Sequence, residues 1–317
     1  MSIRDSLLRA LDGKPGQAVS GEHLARRLGV SRTAVWKQIK MLRNLGVPLE
    51  STGRHGYLFK TPFDSSLISY RGPSWVHSHY QVSTASTQSL AKAGAAAGLP
   101  EGHLWISEIQ TKGRGRLDRR WESGYGGLWF SLLLRPTLSP LRVAPITLYA
   151  GLCLREAVQK VCTVQAKLKW PNDLLVASPQ RSYQKIAGIL TEMSGQVERT
   201  DWLVIGVGVN VNNTLPGNLS PLAASLYALT GEITARARLL DAFLVSFYAG
   251  YSRFCEQGFT PFCERYWSHH VAPGQPIRLK TAEGKISGRA VGVDASGAIL
   301  IESRRKTRMF NEGEIVL

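Results

Sequence analysis

The chain has 317 residues, 44% hydrophobic and 20% charged, which is the make-up of an ordinary globular protein with room for two or three domains. Its formal charge of +16 points to an anionic partner: nucleic acid, nucleotide or acidic protein. No charged-then-apolar leader and no bilayer-length apolar run occur, and Cys153, Cys162, Cys255 and Cys263 form neither a C-x-x-C pair nor a zinc-spaced cluster, so a soluble protein of the reducing cytoplasm is expected.

The first sixty residues carry eleven Lys and Arg against four Asp and Glu, the most basic stretch per residue. Ser2 is expected to cap a helix with Ile3, Leu7, Leu8 and Leu11 on one face, broken by Gly13, Pro15 and Gly16. Ser20 caps a second helix carrying Leu24 and Leu28 and closed by Gly29. Ser31 caps a third, whose Val35, Ile39, Leu42 and Leu45 form a buried stripe up to Gly46. Two short helices joined by Gly29-Val30-Ser31 read as a helix-turn-helix. The hairpin pattern that follows, from Val47 through a Gly53–Gly56 turn to Phe59, adds a wing.

Ser31, Arg32, Thr33, Lys37 and Lys40, with Arg54 at the wing tip, are the candidate DNA contacts, since such a face meets phosphates and base edges. Arg43 and Asn44 share that face, and Trp36 is expected to pack rather than read a base. One recognition helix covers few base pairs, so specificity calls for a dimer on paired half-sites. The bland alternative is a solvated basic face on a protein-binding domain.

Thr61-Pro62 and Arg71-Gly72-Pro73 make a linker or irregular connection. Strands and helices then alternate to about residue 271. Trp105–Ile109 is a strand running into Thr111–Trp121, where five cations and two glycines fall within eleven residues. Gly113 and Gly115 are expected to supply unusual backbone angles and close approach. Arg114, Arg116, Arg119 and Arg120 offer planar forks for carboxylate or phosphate, and Trp121 a flat surface. Leu128–Leu134 is an apolar strand, and Pro145–Val161 has helical spacing. Ile186–Met193 and Trp202–Val211 read as a hairpin pair, and Leu239–Phe254 as the last long helix. A mixed sheet covered by helices, of α+β type, is expected.

Three further segments carry chemistry. In Lys169-Trp-Pro-Asn172-Asp173, Pro171 ends a ladder and presents a cation, an amide and a carboxylate at a strand end, although a salt-bridged terminus would look the same. Lys185-x-x-Gly188 sends a lysine into an apolar strand, either as a solvated end or as a cation aimed into a pocket. Gly206-x-Gly208-x-Asn210 turns its glycines to one face, where a flat ligand or a packed neighbour could approach. Neither the Rossmann nor the P-loop nucleotide motif is present.

In this order, Ser86-Thr87, Gln110 through Trp121, Lys169 through Asp173, Lys185-x-x-Gly188 and Gly206-x-Gly208-x-Asn210 resemble the biotin protein ligases across nearly the whole chain. With the N-terminal segment included, the match is to those that also repress the biotin operon. The resemblance implies a winged helix-turn-helix over 1–62, a catalytic domain over 63–271, and an SH3-like β-barrel over 272–317. It implies formation of biotinyl-5′-AMP from biotin and ATP with Mg2+, then transfer to a lysine of the biotin carboxyl carrier protein of acetyl-CoA carboxylase. The adenylate would act as corepressor, and the adenylate-bound chain would be a homodimer on operator DNA of biotin biosynthesis genes.

By that resemblance Ser86, Thr87, Gln110, Gly113, Gly115, Gly188, Gly206 and Gly208 would hold biotin. Arg114, Arg116 and Lys185 would grip its carboxylate and the transferring phosphate. Arg119, Trp121, Lys169, Asn172 and Asn210 would meet ATP. Asp173 would relieve the incoming lysine of its proton or hold magnesium. Gln88 departs from the family's asparagine, Asp118 from its glycine, and the 178–184 turn is longer. A ligase that no longer represses, or a lipoate-type ligase, are the competing readings.

Overall fold

The structure, a computed structural model, describes residues 3–12, 17–59, 64–178, 182–304 and 306–316. The Ser2 cap, the break at Gly13, Pro15 and Gly16, Thr61-Pro62, part of the 178–184 turn and the Arg54 side chain lie outside the described residues.

The N-terminal unit follows its capping signals. α1 (Ile3–Asp12) leads to α2 (Gly21–Leu28), where the Ser20 hydroxyl accepts the His23 N–H at 3.1 Å. Gly29 closes α2 at φ 65°, a left-handed angle that favours glycine. Ser31 caps α3 (Arg32–Asn44) by accepting from Ala34 N, and the strands β1 (Leu49–Ser51) and β2 (Tyr57–Phe59) pair antiparallel as the wing. Val35, Ile39 and Leu42 are buried as the pattern predicts. One expectation fails: Trp36 does not pack but is 51% exposed on the outer face of α3, while Ile3 of α1 is 44% exposed.

The middle of the chain builds one seven-stranded sheet. In chain order its elements are β3 (His77–Thr84), α4 (Thr87–Ala96), β4 (His103–Gln110), β5 (Leu128–Leu134), α5 (Pro140–Val143), α6 (Ile146–Cys162), β6 (Lys167–Lys169), β7 (Asp173–Ala177), β8 (Tyr183–Gly195), β9 (Thr200–Val209), α7 (Leu226–Thr230), α8 (Arg236–Gln257) and α9 (Cys263–Ser268). The strand order is β3-β4-β5-β9-β8-β7-β6, with β3–β4 parallel and the other pairs antiparallel, so the sheet is mixed as expected.

Period-two alternation divides the sheet's duties. Phe130, Leu132 and Leu134 of β5 join α6 and α8 in the main core, with the Phe130 and Phe243 rings 5.3 Å apart. Leu133 faces the other way, against Ala91 and Ala95 of α4. On that second face Ser131 stands opposite Gly206, and Trp129 opposite Gly208. The smallest residues therefore mark where the sheet is left open.

The last segment forms β10 (Pro276–Thr281), β11 (Gly284–Val293), β12 (Ile299–Ser303), β13 (Lys306–Phe310) and β14 (Glu314–Val316), an antiparallel sheet in the order β13-β12-β11-β10-β14. Its Ile277, Leu279, Ile299, Ile301 and Ile315 are continuous with the core of the seven-stranded sheet, and the Trp170 indole N–H donates to Gly297 O at 2.9 Å. At the other end α1 docks on the sheet: Asp5 Oδ1 accepts the Val82 N–H at 2.9 Å, and Ile68, Val82 and Ile109 complete the helix-turn-helix core.

Candidate active site

The open face of the sheet holds a cavity of about 650 Å³. The C-terminal ends of β3 and β4 bring in one wall. Gln110 Oε1 accepts both the Thr87 N–H at 2.8 Å and the Thr87 hydroxyl at 3.1 Å, which leaves Gln110 Nε2 to donate to Ser123 Oγ at 3.0 Å. Its amide is thereby fixed in one orientation. Ser86 is buried beside it, with a hydroxyl not used to cap α4.

The floor is β9 with β8. A Cβ placed on Gly206 would lie 2.4 Å from Gln88 Oε1, and one on Gly208 would lie 2.7 Å from Trp121 Nε1. Gln88 and Trp121 thus cover the glycine face. Gln88 also donates to Leu190 O and Val204 O and accepts from Ser131 Oγ at 3.0 Å. Trp121 Nε1 is buried with no hydrogen-bond partner among the described residues, a polar atom waiting for one.

The Gly–Arg loop forms the rim. Its backbone is stitched to the end of β3 by Thr111 N to Thr84 O and Lys112 N to Ala85 O. Gly113 does need to be glycine, because a Cβ would fall 2.5 Å from Trp121 O and Ser123 Oγ; it sits behind the cavity wall rather than on it. Gly115 does not: its φ is −108° and a Cβ would meet only Arg119 O at 3.6 Å. The left-handed angles fall instead on Leu117 (φ 56°) and Asp118 (φ 54°). This explains why a glycine suits position 118, and why aspartate is among the residues that tolerate it. Leu117 is 80% exposed at the tip.

Seven Lys and Arg line the cavity against four Asp and Glu, so the interior carries surplus positive charge. Among the described residues Arg114 reaches only Ser89 Oγ at 3.4 Å, and Arg116 only Asn172 Oδ1 at 3.5 Å. Burial lowers the Arg116 pKa, partly offset by Asp173, and burial likewise lowers Lys169. An anion would relieve both. Lys185 Nζ lies 2.6 Å from Asp173 Oδ1, a close ionic contact without hydrogen-bond direction, and 4.9 Å from the centre of the Trp121 ring. Arg119 is already engaged: it forks onto Glu314 at 3.1 and 2.8 Å, and that bond holds the Glu314 carboxyl below its usual range.

Lys169 and Asp173 pair across the β6–β7 turn, which is how Asn172 reaches the cavity; its amide donates to Ile189 O at 2.9 Å. Asn210 is buried at the end of the glycine strand, with its carbonyl held by Asn213. Every ligand residue predicted from the sequence, Gly113 excepted, therefore lines one cavity, including Gly188 between Trp121 and Lys185. The sequence reading missed Gln88 as a floor residue, Ser131, Glu314 and the apolar rim of Leu215, Leu219 and Leu222. Ser131 had a signal: it is the only polar residue in Leu128–Leu134. Glu314 had none, being brought in by the C-terminal sheet.

On α3, Arg32, Thr33, Lys37 and Lys40 are exposed together, as predicted, while the Ser31 oxygen is committed to capping. Residues 80–210 match the Biotin/lipoate A/B protein ligase family, 4–58 an HTH domain, and 274–317 the Biotin protein ligase C terminal domain. The bifunctional ligase/repressor BirA of Bacillus subtilis is 34% identical over 326 aligned residues, covering 100% of this chain and 99% of that protein; BirA of Bacillus spizizenii matches equally. The chain belongs to the biotin protein ligases. A biotin protein ligase from Aquifex aeolicus, solved in complex with biotin and ATP, superposes with TM-score 0.64 and 31% identity over 76% of this chain and 97% of its own. This biotin protein ligase chain holds no helix long and apolar enough to cross a membrane among its described residues.

Proposed function

We infer that the chain is an ATP-dependent biotin–protein ligase that also binds DNA as a repressor. The observation that carries the enzymatic half is the gathering of five separated sequence segments around one cation-rich cavity with a glycine floor. Biotin's ureido ring would lie near Ser86, Thr87 and Gln110, over Gly206 and Gly208 once Trp121 shifts. Arg114, Arg116 and Lys185 would hold the carboxylate against the α-phosphate, offsetting the repulsion of two anions. A carboxylate oxygen attacks the α-phosphorus, the bond to pyrophosphate breaks, and biotinyl-5′-AMP forms. The ε-amine of a lysine on the biotin carboxyl carrier protein then attacks the acyl carbon, AMP leaves, and a proton is lost to solvent or to Asp173.

Magnesium would enter with the triphosphate. Among the described residues no three His, Cys, Asp or Glu side chains group as a metal site. Arg119, Trp121, Lys169, Asn172 and Asn210 would meet the nucleotide, with Arg119 exchanging Glu314 for phosphate.

We place the domain boundaries near residues 62 and 271, read the C-terminal sheet as an SH3-like barrel, and place the protein in the cytoplasm with its DNA. The adenylate-bound chain would pair with a second copy on operator half-sites of biotin biosynthesis genes. Biotin-dependent ATP–pyrophosphate exchange tests the enzyme, and exchange with lipoate alone would sink it. Gel shifts on the promoter, with and without adenylate, test repression, and sedimentation under the same two conditions tests pairing.

A further inference from the structure

We propose that Trp36 is a base-reading residue: its indole enters the major groove and contacts the 5-methyl group of thymine. This inference rests on the DNA-binding half of the reading above. Trp36 is 51% exposed, although α3 has an apolar stripe of Val35, Ile39 and Leu42 on which a tryptophan could have been buried. It stands instead on the basic face, between Thr33 one turn before and Lys40 one turn after. Lys40 Nζ sits 5.3 Å from the centre of its ring, within cation–π range, so ring and ammonium share one patch of that face.

Beside the ring runs a cleft between α3 and the wing, about 510 Å³, lined by Trp36, Ile39, Lys40, Arg43, Asn44 and Tyr57 among others. The helix carries Arg32, Lys37, Lys40 and Arg43 and no acidic residue, so its occupant must be polyanionic. Duplex DNA meets that requirement and also offers an apolar group for the ring. The thymine methyl is the apolar feature of the major-groove edge, whereas phosphates offer a tryptophan nothing but an acceptor. The cations then fix the register and the indole reads sequence.

The test uses the full chain with biotin and ATP. Duplexes are selected from a random pool by the wild-type protein, and each thymine of the selected site is replaced in turn by deoxyuridine, which removes only the methyl. We expect one thymine in each half-site at which deoxyuridine weakens wild-type binding about four-fold, the size of one buried methyl. Trp36→Ala should bind the selected duplex about tenfold more weakly and be indifferent to that deoxyuridine. Trp36→Phe should recover part of both effects. Biotin-dependent pyrophosphate exchange by Trp36→Ala should equal that of the wild type, which reports an intact fold. A wild type indifferent to deoxyuridine at every position would overturn the proposal, as would a Trp36→Ala protein that keeps the same deoxyuridine penalty. Recovery of no preferred sequence at all would instead remove the DNA reading, and this inference with it.

Discussion

Two sets of arginines in this molecule are treated in opposite ways. Arg236, at the start of α8, is fully buried and satisfied: its Nε meets Asp64 Oδ2 at 2.6 Å, one Nη meets Glu108 Oε2 at 2.6 Å and Gly127 O at 3.0 Å, and the other meets Asp64 O at 2.8 Å. Burial works against this charge, yet Glu108, Tyr125 and Asp64 hold the guanidinium protonated more firmly than water would. Arg114 and Arg116 of the Gly–Arg loop lie at the cavity with one long contact each among the described residues, at 3.4 and 3.5 Å. A satisfied charge holds the fold together, and an unsatisfied one is held ready for a ligand. Charge content alone does not distinguish the two; the partners do.

The largest expected effect breaks the buried set. Arg236→Ala leaves Asp64 and Glu108 as uncompensated buried carboxylates and should cost about 3–5 kcal/mol in denaturant unfolding. An unchanged midpoint would mean that the network is dispensable. Arg116→Ala should do the reverse, lowering biotin-dependent pyrophosphate exchange by about 10²–10³ while thermal unfolding stays within about 2 °C of wild type. If activity and stability fell together, the proposed division between the two sets would be wrong.

A third buried group sharpens the comparison because it must stay neutral. The two ring nitrogens of His270 face the Trp170 and Ala272 N–H groups at 3.2 Å each, so one accepts while the other carries the single imidazole proton, and burial, with Lys169 nearby, lowers its pKa to about 3. Its folded pKa lies below the unfolded one, so the unfolded chain takes up the proton first as pH falls. Its contribution is therefore complete above about pH 6.5 and is lost towards pH 3. Between pH 7 and 5 this site should cost about 2 kcal/mol, read as a fall in the urea midpoint that His270→Gln lacks. The smallest effect is expected at the Arg119–Glu314 fork, whose partners are 60% and 42% exposed. Glu314→Gln should change stability by less than about 1 kcal/mol and lower the KM for ATP a few-fold by freeing Arg119. A raised KM would mean that the fork positions the arginine rather than restrains it.

What could be read from the sequence was whatever is written locally. Caps at Ser20 and Ser31, the closing Gly29 and the alternation in the strands located the helix-turn-helix and the central hairpin. Segments with unusual chemistry located the cavity walls. What remained hidden needed long-range contact: Arg236 meets Asp64 and Glu108 from 172 and 128 residues away, and Arg119 meets Glu314 from 195. Trp36 failed for another reason. Periodicity identifies a residue that lies off the buried stripe, but an expectation that large aromatics pack outweighed it. Asp118 was legible only as an anomaly, until its backbone angle gave the physical reason for the glycine it replaces.

The docking of α1 on β3 sets a limit on modularity. Ile68, Val82 and Ile109 are buried in the same apolar cluster as Leu7, Leu8 and Leu24, and the Val82 N–H finds its acceptor in Asp5. Cutting the chain after the wing would therefore uncover a greasy surface and an unpaired donor on the strand pair that ends in Gln110. The regulator cannot be detached from the enzyme, or exchanged for another, as a ready-made cassette. A chain without it would carry Ile68, Val82 and Ile109 on an open surface unless those positions became polar.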